Sequence, residues 1–260
     1  MHLKPSYTIM IAAGATALDR LSSGMPSLDK LLGGGFPRAA TILVVGEPTS
    51  SIAVFLRMVT WCLLNQNFEC LYWSVDQSAD DTRELFRSNN WNLEPFEKQN
   101  TFHFYDVFSQ GASLLGDKLI NEPETIGKGT FKGRDLITVG RDFAINAKKR
   151  GHENRLVILD SMTPLFAMAD RRDVFLLGQA FKYGTRYYKV LGIAGLHKGV
   201  VEKQTEDTVS HMSDCVIEFS FTDPEKTQEL VKVQKIPGAL ADSIPITIDE
   251  SGMLFHFPPE

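Results

Sequence analysis

Four short segments of this chain carry residues able to do chemistry, and each follows an apolar, β-branched run. Gly46, Glu47, Pro48, Thr49, Ser50, Ser51, Ile52 and Ala53 follow the run Thr41 to Val45. They lead into Ile52 to Leu64, whose apolar side chains recur at helical spacing. Glycine and proline end the first run, and a loop entering a helix presents backbone amides at its positive end, where anions are attracted. Asp76 and Gln77 follow Cys70 to Val75, Asp160 and Ser161 close the run Arg155 to Leu159, and His197 and Lys198 follow Val190 to Leu196. A carboxylate placed beside a water can accept its proton, whereas the neutral amide of Gln77 cannot. A carboxylate ending a buried strand can also do no more than cap the next turn.

The elements that must position these residues alternate along the chain. Strands are expected at 41–45, 70–75, 102–107, 155–160 and 190–196. Helices are expected at 52–64, 78–89 (with Ser78 as N-cap), 139–149 and 173–189. Cys215 to Phe221 and Glu229 to Lys235 alternate with a period of two around Asp223-Pro224-Glu225-Lys226, a hairpin signature. Residues 109–134, rich in Gly, Lys and Glu, form an expected surface excursion, and residues 1–20 an arm or edge strand. This order gives an α/β fold with a mostly parallel twisted sheet flanked by helices and a C-terminal β-hairpin, as one domain over 21–260. Ligands of such sheets bind at the carboxyl ends of the strands, which points to the loop at Gly46.

The segment from Leu21 to Arg38, LSSGMPSLDKLLGGGFPR, together with Leu71–Ser74, Asn90–Leu93, Arg155–Ser161, Ser213–Glu218 and Lys232–Gly238, resembles KaiC-like and RadA-like ATPases of the RecA superfamily. The resemblance covers roughly residues 21–250 and implies a P-loop NTPase core. It also implies that Gly46–Ala53 lies in the register of the phosphate loop, which in working form reads G-x-x-x-x-G-K-[ST]. Only the first glycine survives. Ser51 stands for the second, Ile52 for the lysine and Ala53 for the hydroxyl residue that would ligate magnesium. Loss of the lysine's charge-assisted contact alone is worth about 1.5–3 kcal/mol of phosphate affinity.

In the same register Asp76 and Gln77 match the pair of glutamates that activate water in relatives. Asp160 matches the magnesium-holding carboxylate, followed by Ser161 as in the family; it reads equally as a residual ligand or a structural relic. Lys235-Ile236-Pro237 matches a Lys-x-Arg element that reaches a neighbouring subunit, with proline in the arginine's place. Lys198 and Lys235 are the cations that could substitute for the missing lysine, whereas Arg57 lies more than a turn along the helix and is expected to point away. His197 lies where relatives carry a polar sensor, and His211 is a weaker candidate of the same kind; a loop histidine without function is the plainer reading for both.

These departures share one direction, so the expectation is a catalytically inactive or strongly impaired ATPase homologue. It requires no cofactor, binds ATP and magnesium weakly if at all, and works as a regulatory, signalling or assembly protein. Homo-oligomers (dimer or ring) and an unidentified protein partner are implied, with Leu28, Leu31 and Leu32 available for packing between copies. A recombination accessory role with single-stranded DNA is the alternative, through Lys128, Phe131, Lys132, Arg134, Lys148, Lys149 and Arg150. A solvated charged surface is the favoured reading of that cluster.

Composition supports this outline. The 260 residues are 43% hydrophobic with a net charge of −5, enough for one sizeable core and without the alkaline balance of a dedicated nucleic-acid binder. No apolar run nears the roughly 18 residues of a membrane span, and no leader peptide is apparent, so a cytoplasmic protein is expected. Cys62, Cys70 and Cys215 form no CxxC pair and read as inert thiols.

Overall fold

The computed structural model describes residues 19–111, 133–222, 225, 228–238, 242–248 and 255–256. Its order is β1 (Arg20–Leu21), α1 (Pro26–Leu31), β2 (Phe36–Pro37), β3 (Thr41–Gly46), α2 (Ile52–Leu64), β4 (Glu69–Ser74), α3 (Ala79–Ser88), α4 (Glu94–Lys98) and β5 (Phe102–Asp106). Next come α5 (Gly133–Lys149), β6 (Arg155–Leu159), α6 (Thr163–Met168), α7 (Arg171–Tyr188), β7 (Leu191–His197), α8 (Lys203–Met212), β8 (Cys215–Phe221), β9 (Glu229–Lys235), β10 (Asp242–Ile248) and β11 (Phe255–His256).

Among the described residues one nine-stranded sheet runs β11-β10-β9-β8-β3-β7-β6-β4-β5. The neighbours from β8 to β5 are parallel, and β9, β10 and β11 continue the sheet antiparallel. The central strands read as unbroken apolar runs because both faces are covered. On β3, Ile42 and Val44 pack with α1 and α2, while Leu43 and Val45 pack with α5, α7 and α8. On β4, Cys70 and Tyr72 face the first layer and Leu71 and Trp73 the second.

The expected α/β class and the final hairpin are present. α5 begins at Gly133, earlier than its apolar spacing suggested, and most of the expected excursion lies outside the described residues. Ser78 is the N-cap of α3: its hydroxyl oxygen accepts the Asp81 amide at 3.1 Å. Ser78→Ala is expected to cost about 1 kcal/mol, read from a urea unfolding curve; no change would leave that cap without energetic weight.

The lead-in segment corrects one expectation. Leu28, Leu31 and Leu32 are 0%, 6% and 0% exposed and pack into the chain's own core, so they are not available for contact with another copy. The turn after them needs its glycines: Gly34 and Gly35 adopt φ of 111° and 114°, and a Cβ on Gly35 would meet the Leu21 carbonyl oxygen at 2.3 Å. The Asp29 backbone carbonyl holds the turn by accepting the Gly34 and Gly35 amides at 2.7 and 3.1 Å, while its carboxylate accepts the Ser22 hydroxyl and the Ser23 amide at 2.6 and 2.7 Å.

Candidate nucleotide site

The parallel strands deliver Gly46, Ser74, Leu159 and His197 to one end of the sheet. Gly46 pairs with His197 on one side and Phe219 on the other. The surviving loop glycine is explained by crowding, since a Cβ there would lie 2.6 Å from Ser50 Oγ and 2.9 Å from the Phe219 carbonyl oxygen. The loop then turns on itself: the Ser50 amide and hydroxyl both donate to the Glu47 carbonyl, at 2.9 and 2.5 Å.

Ile52, in the lysine's place, is 1% exposed and belongs to the core on the α2 side of the sheet. The Ser51 amide, which opens α2, donates to Glu229 Oε1 at 2.9 Å. Glu229 is the first residue of β9 and shares the α2 face with Val231 and Val233, both in that core. Sequence reasoning missed Glu229. The available signal was a carboxylate occupying the inward slot of the alternation Glu229, Val231, Val233.

Neither substitute lysine reaches the loop of its own chain. Lys198 donates its backbone amide to the Gly46 carbonyl at 2.7 Å, but its ammonium pairs with Glu218. On β8, Ile217 and Phe219 pack with the α2-side core, so alternation turns Glu218, with Lys198, to the other face. Lys235 sits opposite Val216, near the start of β8. Its ammonium donates to the His211 and Ser213 carbonyls at 3.1 and 2.6 Å. His211 therefore lies at the far end of the sheet from the loop, which removes it as a sensor candidate. Arg57 is buried in the field of Tyr72 and Asp160, and burial lowers its pKa.

The two carboxylates lie close together, Asp160 buried and Asp76 exposed. Asp160 is buried, its Oδ1 accepts the Val75 amide at 2.9 Å, and the Ser161 and Asp76 amides also bond its carboxylate. Burial pushes its pKa up to about 8, with the charge of Asp76 adding to the effect. Partial desolvation by its neighbours raises Asp76 although the residue is exposed, against the opposing influence of His197 and a hydrogen bond with Ser161. Asp76, Ser161 and His197 are thus brought together, while Gln77 enters no described contact of this cluster. The amides around Asp160 fit a group that caps the strand end. No group of three or more potential metal-binding side chains occurs among the described residues.

Of the basic cluster, the described residues place only the side chains of Lys148, Lys149 and Arg150. Lys128, Phe131 and Lys132 lie outside the described residues, as does the Arg134 side chain. Lys148 and Lys149 end α5 at the sheet end opposite the loop, and Arg150 pairs with Glu69. The thiols behave as expected for inert groups: Cys70 and Cys215 are buried, and burial pushes Cys215 up to about 12.

Fold and site together define a RecA-type domain whose loop lacks the lysine and the metal-binding hydroxyl of a working phosphate loop. The model of the KaiC ATPase family matches residues 21–253, and the chain belongs to that family. A UPF0273 protein of Thermotoga maritima is 26% identical over 151 residues, covering 57% of this chain and 58% of that relative. The matched region thus spans little more than half the length of that relative. Among solved structures, a KaiC-like protein of Pyrococcus horikoshii superposes with a TM-score of 0.68 at 15% identity, covering 93% of this chain and 100% of that one. The flagellar accessory protein FlaH of Methanocaldococcus jannaschii superposes with 0.67 at 18%, covering 90% and 95%. At these identities the likeness is one of fold. No helix among the described residues is long and apolar enough to cross a membrane.

Proposed function

We propose that this chain is a non-hydrolysing member of the KaiC family, acting as a cytoplasmic regulatory, signalling or assembly protein through contacts with copies of itself and a protein partner. The observation that carries the reading is the place of Ile52. In a working loop that position sends an ammonium to the outer phosphates. Here the side chain is packed into the core, and Lys198 and Lys235, the two candidate substitutes, are both engaged elsewhere. Three further losses point the same way: Ala53 offers no hydroxyl to magnesium, Gln77 no base to water, and Pro237 no guanidinium to a neighbouring site.

With neither the phosphate-clamping lysine nor the metal-holding hydroxyl, two groups that stabilise phosphoryl transfer electrostatically are missing. What remains useful is the shape of the domain. A structural neighbour is described as a flagellar accessory protein, and an accessory role within a larger assembly is the form of function proposed for this chain. The test is phosphate release from ATP with magnesium, using purified protein. The expected rate is the uncatalysed background, unchanged by Asp76→Asn. Turnover that Asp76→Asn abolishes would overturn the reading and identify Asp76 as a working base.

A further inference from the structure

We propose that Glu229 is a built-in substitute for the bound phosphate: its carboxylate takes the anion position at the start of α2 and lets the loop hold its shape without a nucleotide. The inference rests on the reading above, in which the loop has no nucleotide to hold. Four observations carry it.

First, Ser51 N–H donates to Glu229 Oε1 at 2.9 Å across 178 positions of sequence. An amide at the start of a 13-residue helix is the kind of donor that cradles a phosphate. Second, α2 carries no negative charge in its own first turn, and its N-cap Ser51 makes no side-chain capping bond. The helix's positive end is met instead by a carboxylate from another element.

Third, Glu229 is 2% exposed, in a row with Val231 and Val233, and its second oxygen, Oε2, is buried with no hydrogen-bond partner among the described residues. A carboxylate is expensive in such a row, and its burial raises its pKa. Glutamine, threonine or valine would suit the slot better if packing were its only task. Fourth, the same hairpin already touches the loop on its other side, where Phe219 crowds Gly46. Glu229 thus closes a contact between β8–β9 and α2 that a nucleotide would otherwise mediate.

The test compares the native chain with Glu229→Ala, which opens the position, and Glu229→Gln, which keeps the shape without the charge. The probe is inorganic phosphate at fixed ionic strength, read by thermal unfolding and by titration calorimetry. The native chain should show no phosphate-dependent shift. Glu229→Ala should melt several degrees lower and recover in a saturable way as phosphate is added, with affinity at least about ten-fold above native. Chloride at equal ionic strength should not rescue it. Should Glu229→Ala fail to fold, the decision passes to the Ser51 amide resonance. In the native chain it should move as Glu229 titrates, and in Glu229→Gln that movement should vanish.

A Glu229→Ala protein as stable as native and indifferent to phosphate would overturn the inference, as would a Ser51 amide that does not report on Glu229. Such results, with no ATP bound by the native chain, would leave the non-hydrolysing reading standing. Tight ATP binding by the native chain would remove both.

Discussion

Gly195→Ala is expected to destabilise the chain by about 3 kcal/mol, and Gly195→Val to leave little folded protein. β7 passes so close to the end of β6 that a Cβ on Gly195 would lie 2.3 Å from the Asp160 carbonyl oxygen and 3.1 Å from Leu56 Cδ1. The first neighbour is backbone, held in turn by the Asp160 amide's bond to Trp73 at 3.2 Å and by the Met162 amide's bond to Gly195 at 2.8 Å. Neither strand can give way without breaking ladder bonds beneath the candidate site. The effect would be read as the shift in urea midpoint at constant slope. A cost under about 1 kcal/mol would mean that the β6–β7 contact relaxes easily and that Asp160 is less firmly positioned than described.

Glu69→Ala is expected to cost about 2–3 kcal/mol at pH 7, and the cost should shrink as the pH falls. Glu69 opens β4 fully buried, accepts from His103 Nε2 at 2.9 Å, pairs with Arg150 and has His152 at 3.7 Å. Breaking a fully buried pair costs about 3–5 kcal/mol; the smaller figure reflects an Arg150 side chain that is 41% exposed and able to rehydrate. Burial alone would raise the carboxyl, but hydrogen bonds from His103 and Arg150 and their charges hold it below its ordinary 4.5. A group depressed on folding contributes stability above its unfolded pKa and loses it as pH falls through the folded value. The native chain should therefore lose stability below about pH 4.5, helped by Asp106 and Asp214, whose carboxyls are lowered in the same sense by hydrogen bonds that outweigh burial. Urea unfolding of native and variant protein at pH 7 and pH 4 checks this. A difference that is equal at both pH values would show the loss to be one of packing rather than charge.

The parallel core was legible because its strands are covered on both faces, so that Thr41 to Val45 or Arg155 to Leu159 stand out as unbroken apolar runs. α8 escaped notice because Lys203–Met212 buries only Thr205, Glu206 and Val209, too little apolar periodicity to mark a helix. β10 carries Pro245, which argues against a strand in a sequence pattern, and it lies beside the edge strand of the sheet. Within the site, the losses at Ser51, Ile52 and Ala53 were readable because each missing group has a definite chemical duty. Where the chain sends the vacated contacts was not readable. Leu28, Leu31 and Leu32 have the spacing of an interface stripe and of a core stripe alike, and only the fold shows which surface lies beneath them. Glu229 meets Ser51 through the order of β3, β8 and β9, which no local pattern encodes.

The central claim is that the loop from Gly46 to Ala53 no longer holds a nucleotide, and calorimetric titration of the native chain with ATP and magnesium tests it most directly. The account predicts no heat of binding at millimolar nucleotide. Saturable binding in the micromolar range would contradict it, because it would require a cation to reach the phosphates and the Ser51 amide to exchange Glu229 for the ligand.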